Sequence, residues 1–389
     1  MDLKKLIPLY LGAIIGPMGG IGIVTLIPVL SKIWAIDFGA ASLAITFYMF
    51  PFVLVQLFSG SIAQLFDARK TLLFGFIVYA LGGTLCGLSP NLWALLGSRI
   101  IQGVGAAFLT PIIMALIGEL VPARHVGKAI GLLGVAYTMG VTLGPLISGL
   151  IEVAYGWPWF FYFLGALAVM AGLLYWFTSE PMELAQGERP HLLGALPIFK
   201  EALTRPGVLH LSFAAFSFFI AYIGIMTFTA DHLKTNLDLP SDEIGALLSI
   251  TGFSGIIVSP IAGFLGDRLG RIKVFFGGAA IALACIGLMS SVSFSYWPYF
   301  VFFLLFGTGA ATAWTSLNTM AVQISPELRK PVTSVYNAIK FAGYAFSPVI
   351  LSFLYAPFHL RAVQWGCLGA IVISAFLGSL AQKRERERR

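Results

Sequence analysis

Two cationic residues stand where a cation is costly. Lys340 lies nine residues into a long apolar run, about 14 Å from its end, and Arg99 lies about 10 Å into another. A charge at that depth in hydrocarbon costs at least about 2.5 kcal/mol unless it is paired or hydrated. Lys340 is not alone on its face: Thr333, Asn337, Lys340 and Tyr344 recur at i, i+4, i+7 and i+11. The preceding run carries a similar stripe, Thr308, Thr312, Thr315 and Thr319, with Trp314 and Asn318 beside it. Two such stripes in hydrocarbon are expected to line a wet cavity. Lys340, Asn337, Tyr344, Tyr336, Asn318, Trp314, Thr315 and Tyr137 are therefore the expected ligand-contacting residues. The competing reading of Lys340 is a neutral amine, or one paired with a carbonyl or with Asp231.

The acids sharpen the chemistry. All 17 fall in loops or at the ends of apolar runs, and none sits at mid-depth. A cavity with two cations and no buried acid favours an anionic or zwitterionic ligand over a lipophilic cation. Asp231 is an expected proton-coupling residue, and Lys340 could give up a proton as an anion leaves. Asp231, His232 and Glu152 are candidate proton-entry groups, although plain loop exposure is the expected fate of His232. For Arg99 the bland alternative is a structural pairing with helix carbonyls. The remaining histidines show no ligand spacing, and Cys86, Cys285 and Cys367 form no CxxC pair, so no metal site is expected. Gly103-Val-Gly105 and Gly307-Thr-Gly309 lack the third glycine of a dinucleotide loop, and there is no Walker sequence. No cofactor is expected, and no arrangement of side chains supports an enzyme.

The elements that must hold these residues follow from composition. The chain has 389 residues, 58% of them hydrophobic and only 11% charged, where soluble domains carry about 25% charge. That excludes an ordinary soluble enzyme, a disordered chain and a nucleic-acid binder. A bilayer-spanning helix needs about 20 mostly apolar residues. Twelve such runs are predicted, at about 6–30, 41–66, 71–89, 92–118, 127–152, 157–178, 207–231, 242–266, 273–293, 296–322, 331–355 and 361–382. The first is too long for a signal h-region and is kept as a span. With the N-terminus cytoplasmic, nineteen of the 24 Lys and Arg fall on the cytoplasmic side and three outside. Both termini are thus expected in the cytoplasm, and the net charge of +7 needs no nucleic acid. The expected organisation is a six-helix bundle over 1–178, a cytoplasmic linker over 179–206, a second bundle over 207–382 and a basic tail over 383–389.

The two halves are copies. Gly60-Ser-Ile-Ala-Gln-Leu-Phe-Asp67-Ala-Arg69-Lys70 returns as Gly263-Phe-Leu-Gly-Asp267-Arg268-Leu-Gly270-Arg271-Ile-Lys273, offset by 203. Gly140-x-x-x-Gly144-Pro145 returns as Gly343-x-x-x-Ser347-Pro348 at the same offset. Gly103-Val-Gly105-Ala-Ala returns as Gly307-Thr-Gly309-Ala-Ala, and Pro122 as Pro326, both at 204. Shared offsets make an internal repeat. Arg99 falls opposite Phe303, so it is not a scaffold feature of both halves. Parallel six-helix repeats place a binding cavity at their interface and imply transport by rocking.

On these motifs the chain resembles the major facilitator superfamily over essentially its whole length. Gly263 to Lys273 is similar to the loop motif G-x-L-x-D-R-x-G-R-x-K, and Arg99 to Ala107 to the fourth-span pattern R-x-x-Q-G-x-G-A-A. Gly131, Gly140, Gly144, Pro145 and Gly149 resemble the fifth-span motif of proton-linked exporters, with Ser148 departing from its glycine. The resemblance implies an all-α membrane protein with twelve transmembrane helices in two pseudo-symmetric bundles. It implies a proton-coupled exporter of the twelve-span drug:proton antiporter group, acting by alternating access in the cytoplasmic membrane, and a monomer would suffice. It implies that Gly140, Gly144, Pro145 and Gly149 pack the fifth span against the eighth. It implies that Arg99, with Gln102 in the same pattern, takes part in proton transfer or substrate contact, and it implies a conformational latch of Asp267, Arg268, Arg271, Gly263 and Gly270. Gln64 and Asp67 break that pattern in the first copy, so the latch is expected to be stronger in the second half. The alternative function is a uniporter or proton symporter taking up a small metabolite anion.

Overall fold

The computed structural model describes residues 3–179, 195–325 and 328–388, and they are almost entirely helical. Within a bilayer the backbone must satisfy its own polar groups, and an apolar chain does so only as helices or a closed barrel. The long helices are α1 (Leu3–Gly22), α3 (Phe38–Phe66), α4 (Ala68–Gly87), α5 (Leu92–Leu120), α6 (Ala123–Tyr155) and α7 (Pro158–Thr178). They continue with α9 (Val208–Thr235), α10 (Ser241–Leu269), α11 (Arg271–Ser291), α12 (Tyr296–Gln323) and α13 (Arg329–Arg388). Two shorter helices are α2 (Ile27–Trp34) and α8 (Ala195–Thr204).

One span differs from the sequence expectation. The first run breaks after Gly22 into a 3₁₀ turn, Ile23–Thr25, before α2 resumes. Pro28, in the first turn of α2, has no N–H to give the carbonyl of Val24, so a continuous helix would lose a bond there. The last two runs, expected at 331–355 and 361–382, lie in α13, whose apolar part, Pro331–Arg384, has 54 residues. That is about 80 Å of helix against a hydrocarbon core of about 30 Å, so it crosses twice. The break is at His359, whose φ of 60° and ψ of −165° are non-helical. The described residues thus hold twelve spans. Part of the expected linker is helical, as α8, and the tail is helical to Arg388; residues 180–194, Pro326 and Glu327 lie outside the described residues.

The chain forms two compact units. The first comprises Met1–Asp37, Leu43–Gly194 and Pro240–Gly245; the second comprises Phe38–Ser42, Ala195–Leu239 and Ala246–Arg389. The repeat is visible in how each unit packs. In the first, a side chain at Gly105 would strike the backbone of Tyr79, and one at Gly103 would strike that of Tyr48. In the second, Gly309 meets Ala282 and Gly307 meets Thr251 in the same way. These four contacts match pairwise at offsets of 203 and 204, so the same helix crossings are built twice. Close approach of backbones through small residues is the means of packing where lipid removes the hydrophobic drive.

Candidate functional site

In the second unit α12 and α13 bring their polar stripes together at Lys340. Its Nζ donates to Asn337 Oδ1 at 2.7 Å and to Asn318 Oδ1 at 3.4 Å. Tyr336 Oη donates to the same Asn318 oxygen at 2.9 Å. Three rings surround the ammonium, with Phe341 at 4.5 Å, Tyr336 at 5.3 Å and Phe219 at 5.7 Å from Nζ to ring centroid. Lys340 is buried, and among the described residues no carboxylate pairs with it. Asp231 has its own partners within the unit: Tyr355 Oη donates to Oδ2 at 2.5 Å and Thr235 Oγ1 to Oδ1 at 3.0 Å. Trp314 stands beside Phe219 and Tyr222, at 6.0 and 5.2 Å. Tyr344 is buried one turn further along α13, and Thr315 is half-buried on α12.

The threonine stripe carries less than its spacing suggests. Thr308, Thr312 and Thr319 each give their hydroxyl to the carbonyl four residues back, at 2.8–2.9 Å. Such back-bonding lets threonine sit in an apolar helix without water. The polar demand of this region therefore concentrates on Lys340, Asn337 and Asn318. Sequence reasoning missed Phe219 and Phe341, because an aromatic residue inside an apolar run carries no signal of its own.

Arg99 lies in the first unit, fully buried. Its Nε donates to Ala44 O at 3.0 Å and its Nη1 to Gly19 O at 3.1 Å and Gln102 Oε1 at 2.6 Å. The guanidinium lies 4.1 Å from the Tyr48 ring centroid. It thus ties α5 to α1 and α3 through main-chain oxygens, which a rigid fork of donors does well. Tyr137, also in this unit, donates to Thr110 O at 3.1 Å.

The fifth-span glycines serve two contacts. Gly140 and Gly144 lie against α1, where an added Cβ would meet Pro17 Cβ at 3.1 Å and Met18 O at 3.0 Å. Gly149 lies against the first turn of α10, where a Cβ would stand 3.0 Å from Asp242 Cα. Gly245 returns that contact against the carbonyl carbon of Pro145, at 3.0 Å. In the expected latch, Arg271 pairs with Asp267 and also donates to Gly263 O at 2.7 Å. Gly270 makes the break between α10 and α11 with φ of 95°, and Arg268 lies over the Phe264 ring at 4.3 Å.

The Major Facilitator Superfamily profile matches residues 9–235 and 211–389, which together span nearly the whole chain. The chain belongs to the major facilitator superfamily. It is accordingly a multi-pass membrane transporter of small molecules rather than an enzyme. A riboflavin transporter of Clostridioides difficile, RibZ, is 24% identical over 85% of this chain and 83% of its own length. The multidrug resistance protein MdtG of Proteus mirabilis is 26% identical over 79% of this chain and 76% of its own. A bacterial homologue of the human lysosomal transporter Spinster, solved inward-facing and unoccupied, aligns with a TM-score of 0.78 at 16% identity. That alignment covers 99% of this chain and 98% of that one. At that identity the likeness shows the fold.

Proposed function

We propose that this transporter exports small organic anions or zwitterions in exchange for protons, by alternating access, as a monomer in the cytoplasmic membrane with both termini cytoplasmic. One observation carries the anion reading. Asn337 and Asn318 both turn their carbonyl oxygens to the Lys340 ammonium, and Asn318 accepts Tyr336 as well. The amide oxygens are turned to the ammonium, which leaves the two amide NH₂ groups and the third ammonium N–H as free donors. Free donors around an ammonium suit a carboxylate better than a cation. The coupling we propose is that a proton taken up from outside on Asp231 as the anion is released passes to the cytoplasm before the next anion binds. The fifth-span glycines and a relative named as a multidrug resistance protein support export, and the Lys and Arg asymmetry supports the topology.

Flux into inside-out vesicles, with the lumen made acidic, tests the reading with a panel of labelled small carboxylates. Accumulation is expected, lost when the pH gradient is collapsed. Lys340→Gln is expected to lower it at least about tenfold, the scale of one hydrogen bond to a charged group. Accumulation only with the gradient reversed would favour uptake by symport. Unchanged flux in Lys340→Gln would end the anion site.

A further inference from the structure

We propose that the Lys340 cluster selects planar aromatic carboxylates, a proposal that deepens the anion reading above and rests on it. The donors fix where the charge goes. With two ammonium hydrogens on Asn337 and Asn318, a carboxylate takes the third on one oxygen and the Asn318 amide on the other. Asn318 is the exposed member of the cluster, so the carboxylate meets it from the open side.

The body of the ligand must then lie against what flanks that opening, and this is aromatic. Phe341 and Phe219 lie within 5.7 Å of the ammonium, and Trp314 stands 6.0 Å from Phe219. All three rings are half-buried, unlike Tyr222 and Tyr336, which are closed off. Phe219 and Trp314 meet at 36°, neither stacked flat nor edge to face, and each also meets the buried Tyr222, at 6.4 and 5.2 Å. Phe341 meets Phe219 edge-on at 80° and 6.1 Å, and this fixes the Phe219 ring in place. A planar ring adds an edge or an offset face to such a pair, and gains beyond the area it buries. A saturated ring of the same size buries as much surface and gains none of that geometry. The chemistry of the wall therefore discriminates by aromaticity, and that of the Lys340 cluster by charge.

The test is equilibrium binding to the full chain in lipid nanodiscs, comparing 2-naphthoate with decahydro-2-naphthoate. The two share the carboxylate, and the saturated form is no less apolar. The aromatic acid is expected to bind about tenfold tighter, as two added ring pairs would give. Phe219→Leu is expected to bring the two within about twofold by weakening the aromatic acid more than the saturated one, and Trp314→Leu to do the same should Phe219→Leu fail to fold. Lys340→Gln is expected to abolish binding of both. Equal affinity of the two acids, each still dependent on Lys340, would overturn the aromatic selection and leave the anion site standing. Undiminished binding of both in Lys340→Gln would overturn the anion site and this proposal with it. Failure of wild-type protein to bind either acid, or a preference that survives both ring substitutions, would also overturn the proposal.

Discussion

The two units carry their buried charge in opposite ways. In the first, Arg99 is braced on the main-chain oxygens of Ala44 and Gly19, with one side-chain amide, Gln102, completing the fork. In the second, Lys340 is held by side-chain amides, and its rings are side chains too. The loops repeat the contrast. Arg69 donates to Trp176 O and Asp67 accepts from Arg69 N, whereas Arg271 pairs with Asp267 and only its second nitrogen reaches a carbonyl. A carbonyl inside a helix cannot turn to accommodate a ligand; an amide or carboxylate can, by a rotation about one bond. A cation tied to backbone is a brace, and a cation tied to side chains can exchange partners.

The largest effects should come from the two cations, with opposite signatures. Arg99→Lys is expected to destabilise the protein by about 2 kcal/mol, because one ammonium cannot span α1, α3 and Gln102 as a fork does. Thermal unfolding of purified protein reads this directly. Lys340→Gln is expected to leave the unfolding temperature nearly unchanged and to remove anion-driven flux. Arg99→Lys unfolding like wild type while losing flux would make Arg99 a coupling group and erase the contrast. A smaller effect is expected from Tyr336→Phe. It removes the hydroxyl that holds the Asn318 carbonyl at 2.9 Å, freeing that amide to turn an oxygen toward the ligand. Anion affinity should fall about three- to tenfold, the range of one ordinary hydrogen bond, with no loss of fold. No change in affinity would mean that Lys340 alone orients Asn318.

Much of this was legible in residue types. Continuous apolar runs gave the spans, and the shared offsets gave the repeat, because both are properties of sequence that packing only expresses. Lys340, Asn337 and Asn318 stood out because polar groups in hydrocarbon need a reason. Their meeting at one ammonium was not legible, since helical spacing gives the face of a helix but not the neighbour it meets. The threonines at 308, 312 and 319 misled for a related reason: a hydroxyl can find its partner on its own helix. For Arg99 the sequence gives depth alone, and the carbonyls that hold it belong to residues with no distinguishing side chain, Ala44 and Gly19. The break at His359 falls in the gap left between the runs 331–355 and 361–382, whereas the one at Ile23–Thr25 lies inside an unbroken apolar run and turns on backbone conformation beside Pro28.

The finest distinction between the units lies in the turn that each repeat builds after its second span. Asp67 and Gly270 occupy equivalent positions and nearly the same backbone conformation, φ 78° and ψ 120° against φ 95° and ψ 134°. Glycine adopts that conformation freely; another residue pays about 1–3 kcal/mol. Asp67 offsets part of the strain by accepting a hydrogen bond from Arg69 N at 2.8 Å, an N-cap worth about 1 kcal/mol. Gly270 has no side chain to cap α11, and nothing within 4 Å of it would obstruct one. Gly270→Ala should therefore destabilise by the backbone strain alone, about 1–2 kcal/mol. Gly270→Asp should cost about 1 kcal/mol less than that, by building the cap the first unit already has. Asp67→Ala should lose the cap and keep the strain, at about 1 kcal/mol, whereas Asp67→Gly loses both and stays close to wild type. Thermal unfolding of the four variants ranks them. Were Gly270→Asp no better than Gly270→Ala, the aspartate in the first copy would owe its place to something other than capping, and the strain at Asp67 would stand uncompensated.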